Sequence, residues 1–100
     1  MKKTEKSADG TSFHNVVIET TISKLVKVLG EPTYQQNSGD DKVNVEWICE
    51  TRDGDVVTIY DWKEYRSLNE NEKIEFHLGG HSSIHTLDAK HELRELLNQI

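Results

Sequence analysis

The chain has 100 residues, 34% hydrophobic and 30% charged, with one Pro and 6 Gly, the composition of one globular domain rather than a disordered or fibrous chain. Its 12 Lys and Arg against 18 Asp and Glu give a formal net charge of -6, which argues against general binding to nucleic-acid backbones. No run approaches the roughly 18 apolar residues of a membrane span, the opening Met1-Lys2-Lys3-Thr4-Glu5-Lys6 lacks the apolar core of a signal peptide, and a single cysteine, Cys49, excludes an internal disulfide and fits a reducing cytoplasm.

Residues 1–11 carry charge, Ser, Asp and Gly without periodicity and read as a disordered leader, leaving 12–100 as one domain. Phe13 to Glu19 is expected to be a short extended segment feeding the first helix, with Val16, Val17 and Ile18 in the core. Thr21 is placed to cap that helix, and Ile22, Leu25, Val26 and Leu29 recur at i, i+3, i+4 and i+7 as one apolar stripe. Gly30 suits a helix C-cap and Pro32 forbids continuation. Tyr34 to Asp41 is a polar loop and the expected place for mobility.

Val43, Val45, Trp47 and Cys49 then alternate with Asn44, Glu46 and Glu50, the period-two pattern of a half-buried strand. Val56 to Trp62 is a second β-rich run, and the Asp53-Gly54 between them predicts a two-residue hairpin turn. That turn opposes Cys49 to Thr58, Trp47 to Tyr60 and Val45 to Trp62, with Ile48 and Ile59 on the other face. A polar stretch, Lys63 to Asn71, precedes a third strand in which Ile74, Phe76 and Leu78 alternate with Glu75 and His77 up to Gly79-Gly80. Thr86 is expected to cap a C-terminal helix whose apolar stripe is Ala89, Leu93, Leu96, Leu97 and Ile100. The fold expected is a compact single-domain α+β structure: N-terminal helix, three-stranded antiparallel sheet around a central Asp-Gly hairpin, C-terminal helix.

Few residues suggest chemistry. His77, His81 and His85 recur every fourth residue, but Gly79-Gly80 breaks the helix that would align them for a metal, so neither a metal site nor a cofactor is expected. Cys49 is expected to point into the core, and Ser82 and Ser83 lack a nucleophile-elbow pattern, so no catalytic residue is assigned. The strand-to-helix connection Gly79, Gly80, His81, Ser82 and Ser83 offers permissive backbone, hydroxyls and an imidazole, the materials of an anion-binding nest. Lys63 and Arg66 would add charge, Trp62 or Tyr65 a stacking surface, and His77 a further hydrogen-bonding anchor.

The string Leu29-Gly30-Glu31-Pro32-Thr33, then Trp47, then Asp53-Gly54-Asp55-Val56-Val57-Thr58-Ile59-Tyr60-Asp61-Trp62-Lys63, then Phe76-His77-Leu78-Gly79-Gly80 resembles small bacteriophage-encoded proteins. In those, a GEP helix end, a W…DG…TIYDYK/WK hairpin and a WHIGG-like strand end occur in the same order. The resemblance spans about Phe13 to Ile100, with Phe76 standing where that pattern has Trp. It implies a viral origin, action in the host cytoplasm, and interference with host defence or machinery.

Three readings follow. One is a non-enzymatic counter-defence protein that sequesters a nucleotide-like anionic signalling ligand, as a homo-oligomer that encloses it. A second is an inhibitor that covers a basic surface of a host protein with Asp40, Asp41, Glu70, Glu72 and Glu75. The third is a small hydrolase or nuclease that uses His77 and His81. The residues favour the first.

Overall fold

The structure is a computed structural model that describes residues 1–36 and 41–100. Among these, β1 (Lys2–Lys3), β2 (Ser12–Thr20), α1 (Ile22–Leu29), β3 (Tyr34–Gln35), β4 (Val45–Glu50), β5 (Val56–Tyr60), β6 (Ile74–Gly80) and α2 (Ser83–Leu97) follow in chain order. The strands form one six-stranded antiparallel sheet in the order β1-β4-β5-β6-β2, with β3 also paired to β4. This corrects the expected three-stranded sheet, and it corrects the expected start of the chain, since two strands precede the first helix. The polar Tyr34 to Asp41 stretch begins with the strand β3, and the part of it over 37–40 lies outside the described residues. Among the described residues no helix is long and apolar enough to cross a membrane.

The additional strands come from pairings that local pattern does not announce. The segment around Val16-Val17-Ile18 is a nine-residue strand on the far side of β6, with Val17 opposite His77 and Ile18 opposite Phe76. Its ladder is interrupted by an irregularity between Phe13 and Val17, where Asn15 takes a left-handed φ of 64°. The leader over 1–11, expected to be disordered, lies against the sheet: Lys2 and Lys3 pair with Glu50 and Cys49, and the Lys6 ammonium is 2.7 Å from the Glu50 carboxylate.

The hairpin register is one residue off the expected one. Trp47 opposes Ile59, Cys49 opposes Val57 and Glu46 opposes Tyr60. The cause is loop length. Thr51 N–H donates to Asp55 O (2.9 Å) and Gly54 N–H to Thr51 O (2.9 Å), enclosing Arg52, Asp53 and Gly54 in a three-residue connection. Gly54 supplies the left-handed residue of such a turn, at φ 85°. One added loop residue exchanges the face partners, and it separates Trp47 from Tyr60.

As a result the inner face is largely apolar. Val45, Trp47, Cys49, Val57, Ile59, Phe76 and Leu78 are all fully buried, with Ile18 nearly so, beneath Ile22, Leu25 and Leu29 of α1 and Ala89 and Leu93 of α2. Trp47 meets Phe76 edge-on at 6.2 Å, and its indole N–H donates to Gly30 O (2.9 Å) at the end of α1, joining sheet to helix. Burial pushes the Cys49 thiol up to about 12. Thr21 caps α1 as expected, accepting from the Lys24 N–H at 3.1 Å. The α2 cap is corrected: Ser82 accepts from the His85 N–H (3.3 Å), one turn before the expected Thr86. Thr86 is buried instead, its hydroxyl donating to Ser83 O at 2.8 Å. Ile100, expected on the α2 stripe, is exposed.

Where β5 ends, Asp61 turns inward and is fully buried. Its carboxylate accepts from Asn44 N–H (2.8 Å), Asn44 Nδ2 (2.9 Å) and Val45 N–H (3.0 Å), so the start of β4 is held to the end of β5 by a side chain where the ladder stops. Asn44 Nδ2 also reaches Arg66 O at 3.2 Å, drawing in the loop that follows. Asp61→Ala leaves these buried donors without their acceptor, and is expected to lower stability by at least about 3 kcal/mol in urea denaturation.

Candidate functional site

The helices cover one face of the sheet and leave the other open. On that open face Tyr34, Glu46, Tyr60, His77 and Val17 form one cross-strand row, each opposite the next on the neighbouring strand. A second row runs Ile48, Thr58, Gly79 and Phe13. Trp62 continues the alternation two residues beyond Tyr60. The face therefore gathers Phe13, Tyr60, Trp62 and His77.

Their rings form a connected cluster. Phe13 stacks on His77 with centroids 4.1 Å apart and planes 15° apart, and Trp62 lies on the imidazole at 6.2 Å and 29°. Tyr60 meets His77 edge-on at 5.6 Å and Trp62 at 6.1 Å. Gly79 makes the arrangement possible: a Cβ there would stand 2.5 Å from Thr58 Oγ1, and Phe13, which has no side chain opposite it, leans over His77. Even so, Phe13 is 38% and Trp62 39% exposed, so large aromatic surface remains in contact with water.

Positive charge is arranged around the same indole. Lys42 Nζ is 5.9 Å and Lys63 Nζ 5.5 Å from the Trp62 ring centroid, within reach of a cation–π interaction. Lys63 N–H donates to Lys42 O (2.8 Å), which brings the two residues together. Lys63 and Tyr65 both take left-handed φ angles, 54° and 48°, a conformation that costs a non-glycine residue about 1 kcal/mol. The buried Asp61 anchors the chain immediately before this segment.

Burial shifts the polar groups of the face towards their neutral forms. The His77 pKa is lowered by burial, against a smaller opposing effect of Glu75. The Glu46 carboxyl is raised by burial, and the Tyr60 phenol is raised by burial and by the Glu46 charge. His77 is thus a neutral, stackable ring at neutral pH.

Of the sequence-expected site residues, Trp62, Lys63 and His77 come together on this face, with Gly79 in its floor. The others do not join them. Tyr65 is exposed and makes no ring contact with the cluster. Arg66 is held by a bidentate pair with Glu72 (2.7 and 3.1 Å) and a longer one to Glu64 (3.7 Å). That pair lowers the Glu72 carboxyl pKa, with the Asn69 N–H assisting.

Gly79 and Gly80 belong to β6 and pair with β5 and β2, so Gly79 to Ser83 is an extended strand end and a helix start, not a nest of free amides. Gly80 presents its carbonyl to His14 Nε2 (3.1 Å). His81 is exposed beside Gly10, Ser82 is engaged as the cap, and Ser83 opens α2.

His77, His81 and His85 diverge, His85 turning to Asp55 at 3.4 Å. Among the described residues no group of three or more His, Cys, Asp or Glu side chains is placed to hold a metal ion. The sequence reading did not include Phe13, Lys42 or Tyr60 among the site residues. The Tyr60-x-Trp62 spacing signals a shared face, whereas Phe13 is placed by the β2–β6 pairing, which no local pattern reveals, and Lys42 by the hydrogen bond from Lys63 N–H to its carbonyl.

Comparison with protein-family models, with curated proteins and with solved structures finds no match for this chain.

Two outcomes follow from the geometry. Because the folded His77 pKa lies below its unfolded value, its contribution to stability is full above the unfolded pKa, near 6.5, and is lost as pH falls from there through the folded pKa. A pH series of unfolding midpoints is expected to fall over that window, and His77→Phe to remove part of the fall. Lys63→Gly relieves the left-handed backbone and is expected to raise stability by up to about 1 kcal/mol, read from thermal unfolding.

Proposed function

We propose that this protein is a non-enzymatic binder of a nucleotide-like anionic ligand, held on the open face of the sheet. The observation that carries the reading is Trp62, 39% exposed, beside the stacked rings of His77 and Phe13 and flanked by two lysines. A planar base stacks on the exposed indole, a contact worth about 1–3 kcal/mol for each base. Lys42 and Lys63 then face its phosphates, and neutral His77 offers a hydrogen bond without adding charge. Among the described residues neither lysine is engaged by a carboxylate, unlike Arg66, so their charge is available to a ligand.

The setting of this activity, a phage-type counter-defence protein that withdraws a signalling nucleotide in the host cytoplasm, is supported by the resemblance of the motifs to phage proteins. A homo-oligomer that closes over the open face would suit that role, since the platform is a surface and not a cavity. The acidic-inhibitor reading has less support. Glu72 is neutralised by Arg66, and Asp41, Glu70 and Glu75 are dispersed over a loop, a turn and a strand. Asp40 lies outside the described residues.

Trp47 is fully buried, so quenching of tryptophan emission by an added nucleotide reports on Trp62. Titration with mononucleotides and cyclic dinucleotides is expected to give saturable quenching for at least one of them. Trp62→Phe should weaken binding several-fold and Lys42→Gln/Lys63→Gln at least about tenfold, with a shallower salt dependence. Equal calorimetric affinity in the wild type and the double lysine variant, or no saturable binding across the series, overturns the reading.

A further inference from the structure

A second concentration of unpaired positive charge lies at the opposite end of β2 from Phe13. There Lys24 in the first turn of α1, Lys73 just before β6 and Arg94 in the last turn of α2 surround a groove of about 590 Å³. Ile18 and Leu97 supply apolar wall, and Glu19 is the one carboxylate on its rim. Four other cations of this acidic chain face carboxylates: Lys2 and Lys6 with Glu50, Arg52 with Glu92 and Glu95, Arg66 with Glu72. Among the described residues Lys24, Lys73 and Arg94 have no such partner, although acidic side chains outnumber basic ones 18 to 12. Three separate elements thus hold like charges around one cavity.

We infer that this groove binds a phosphomonoester that carries an apolar substituent. The charges match: three cations less Glu19 leave a formal +2, and a phosphomonoester carries about −1.5 to −2 at neutral pH. The shape matches as well. Cations converging from three elements surround the oxygens of a tetrahedral group, where a carboxylate offers only two oxygens in a plane, and the Arg94 guanidinium takes two oxygens at once. The volume exceeds that of a phosphate alone and falls in the range of small-molecule clefts, about 300–1,000 Å³, leaving room for a substituent against Ile18 and Leu97.

The helix ends act in opposite directions. The first turn of α1 adds partial positive charge, while α2 terminates here with its carbonyls. Those carbonyls are partly satisfied, Arg94 O by Asn98 N–H (2.9 Å) and Leu96 O by Gln99 N–H (3.2 Å), and the Arg94 side chain offsets the remainder. No residue is shared with the aromatic platform, so the two sites stand or fall separately.

Phenyl phosphate is the test ligand, titrated into the full chain at about 150 mM salt and followed residue by residue in amide NMR spectra. Saturable shifts are expected at Thr20, Lys24, Lys73, Arg94 and Asn98, with inorganic phosphate and benzoate each at least about tenfold weaker. The double variant Lys24→Gln/Arg94→Gln should bind at least about tenfold more weakly at an unchanged melting temperature, both side chains being exposed. Lys42→Gln/Lys63→Gln should leave the saturable shifts at Thr20, Lys24, Lys73, Arg94 and Asn98 unchanged. Groove shifts that do not saturate, shifts spread over every lysine or confined to Trp62 and its neighbours, benzoate shifting the groove as well as phenyl phosphate does, or undiminished groove affinity in the Lys24/Arg94 variant would each overturn the proposal.

Discussion

A carboxylate with no contact with solvent joins two strands at the point where their ladder ends. Asp61 accepts from two backbone amides and one side-chain amide, all on Asn44 and Val45. Buried charge is tolerated only where such donors replace water, and the donors need the carboxylate as much as it needs them. The consequence is positional. With residue 61 turned inward, the alternation of the strand places Tyr60 and Trp62 on the open face, and the following backbone is free to adopt the left-handed angles of Lys63 and Tyr65. The indole and its two ammonium neighbours therefore depend on a polar interaction made on the far side of the backbone.

The two faces of the sheet follow different physical rules. The inner face is closed by area: large apolar side chains interdigitate with two helices, and the buried thiol of Cys49 behaves as one more hydrophobe. The outer face is organised by ring geometry and desolvated polar groups. Stacked and edge-on contacts orient Phe13, His77, Tyr60 and Trp62, while burial suppresses the charge of His77. These contacts leave the rings little side-chain freedom to lose, which suits the planar partner proposed above.

Legibility in the sequence tracked the range of the interactions. The Val45-Trp47-Cys49 alternation and the Ile22-Leu25-Leu29 stripe are local and were readable; Trp62, Lys63 and His77, singled out from the sequence, share the open face. The hairpin register depended on whether the loop held two residues or three, and Asp53-Gly54 fits both; only the Thr51–Asp55 hydrogen bond separates them. The pairing of β2 with β6 joins residues about sixty apart, and β1 and β3 are two-residue strands with no periodicity to read. Phe13 could not be placed on the open face without the β2–β6 pairing. Gly79-Gly80 reads locally as a turn, yet Gly79 is bare because Thr58 crowds it from the next strand.

The irregularity at Asn15 bears on how the molecule behaves at high concentration. Among the described residues β2 is the last strand of the sheet, and its outer backbone edge, nine residues long, has no proline or lysine to discourage another chain from adding to it. Extra residues between Phe13 and Val17 disrupt the two-residue repeat, so a foreign strand laid along this edge keeps its hydrogen bonds on only one side of the break. The same distortion that lets Phe13 reach His77 thus shortens the template available for fibrillar growth.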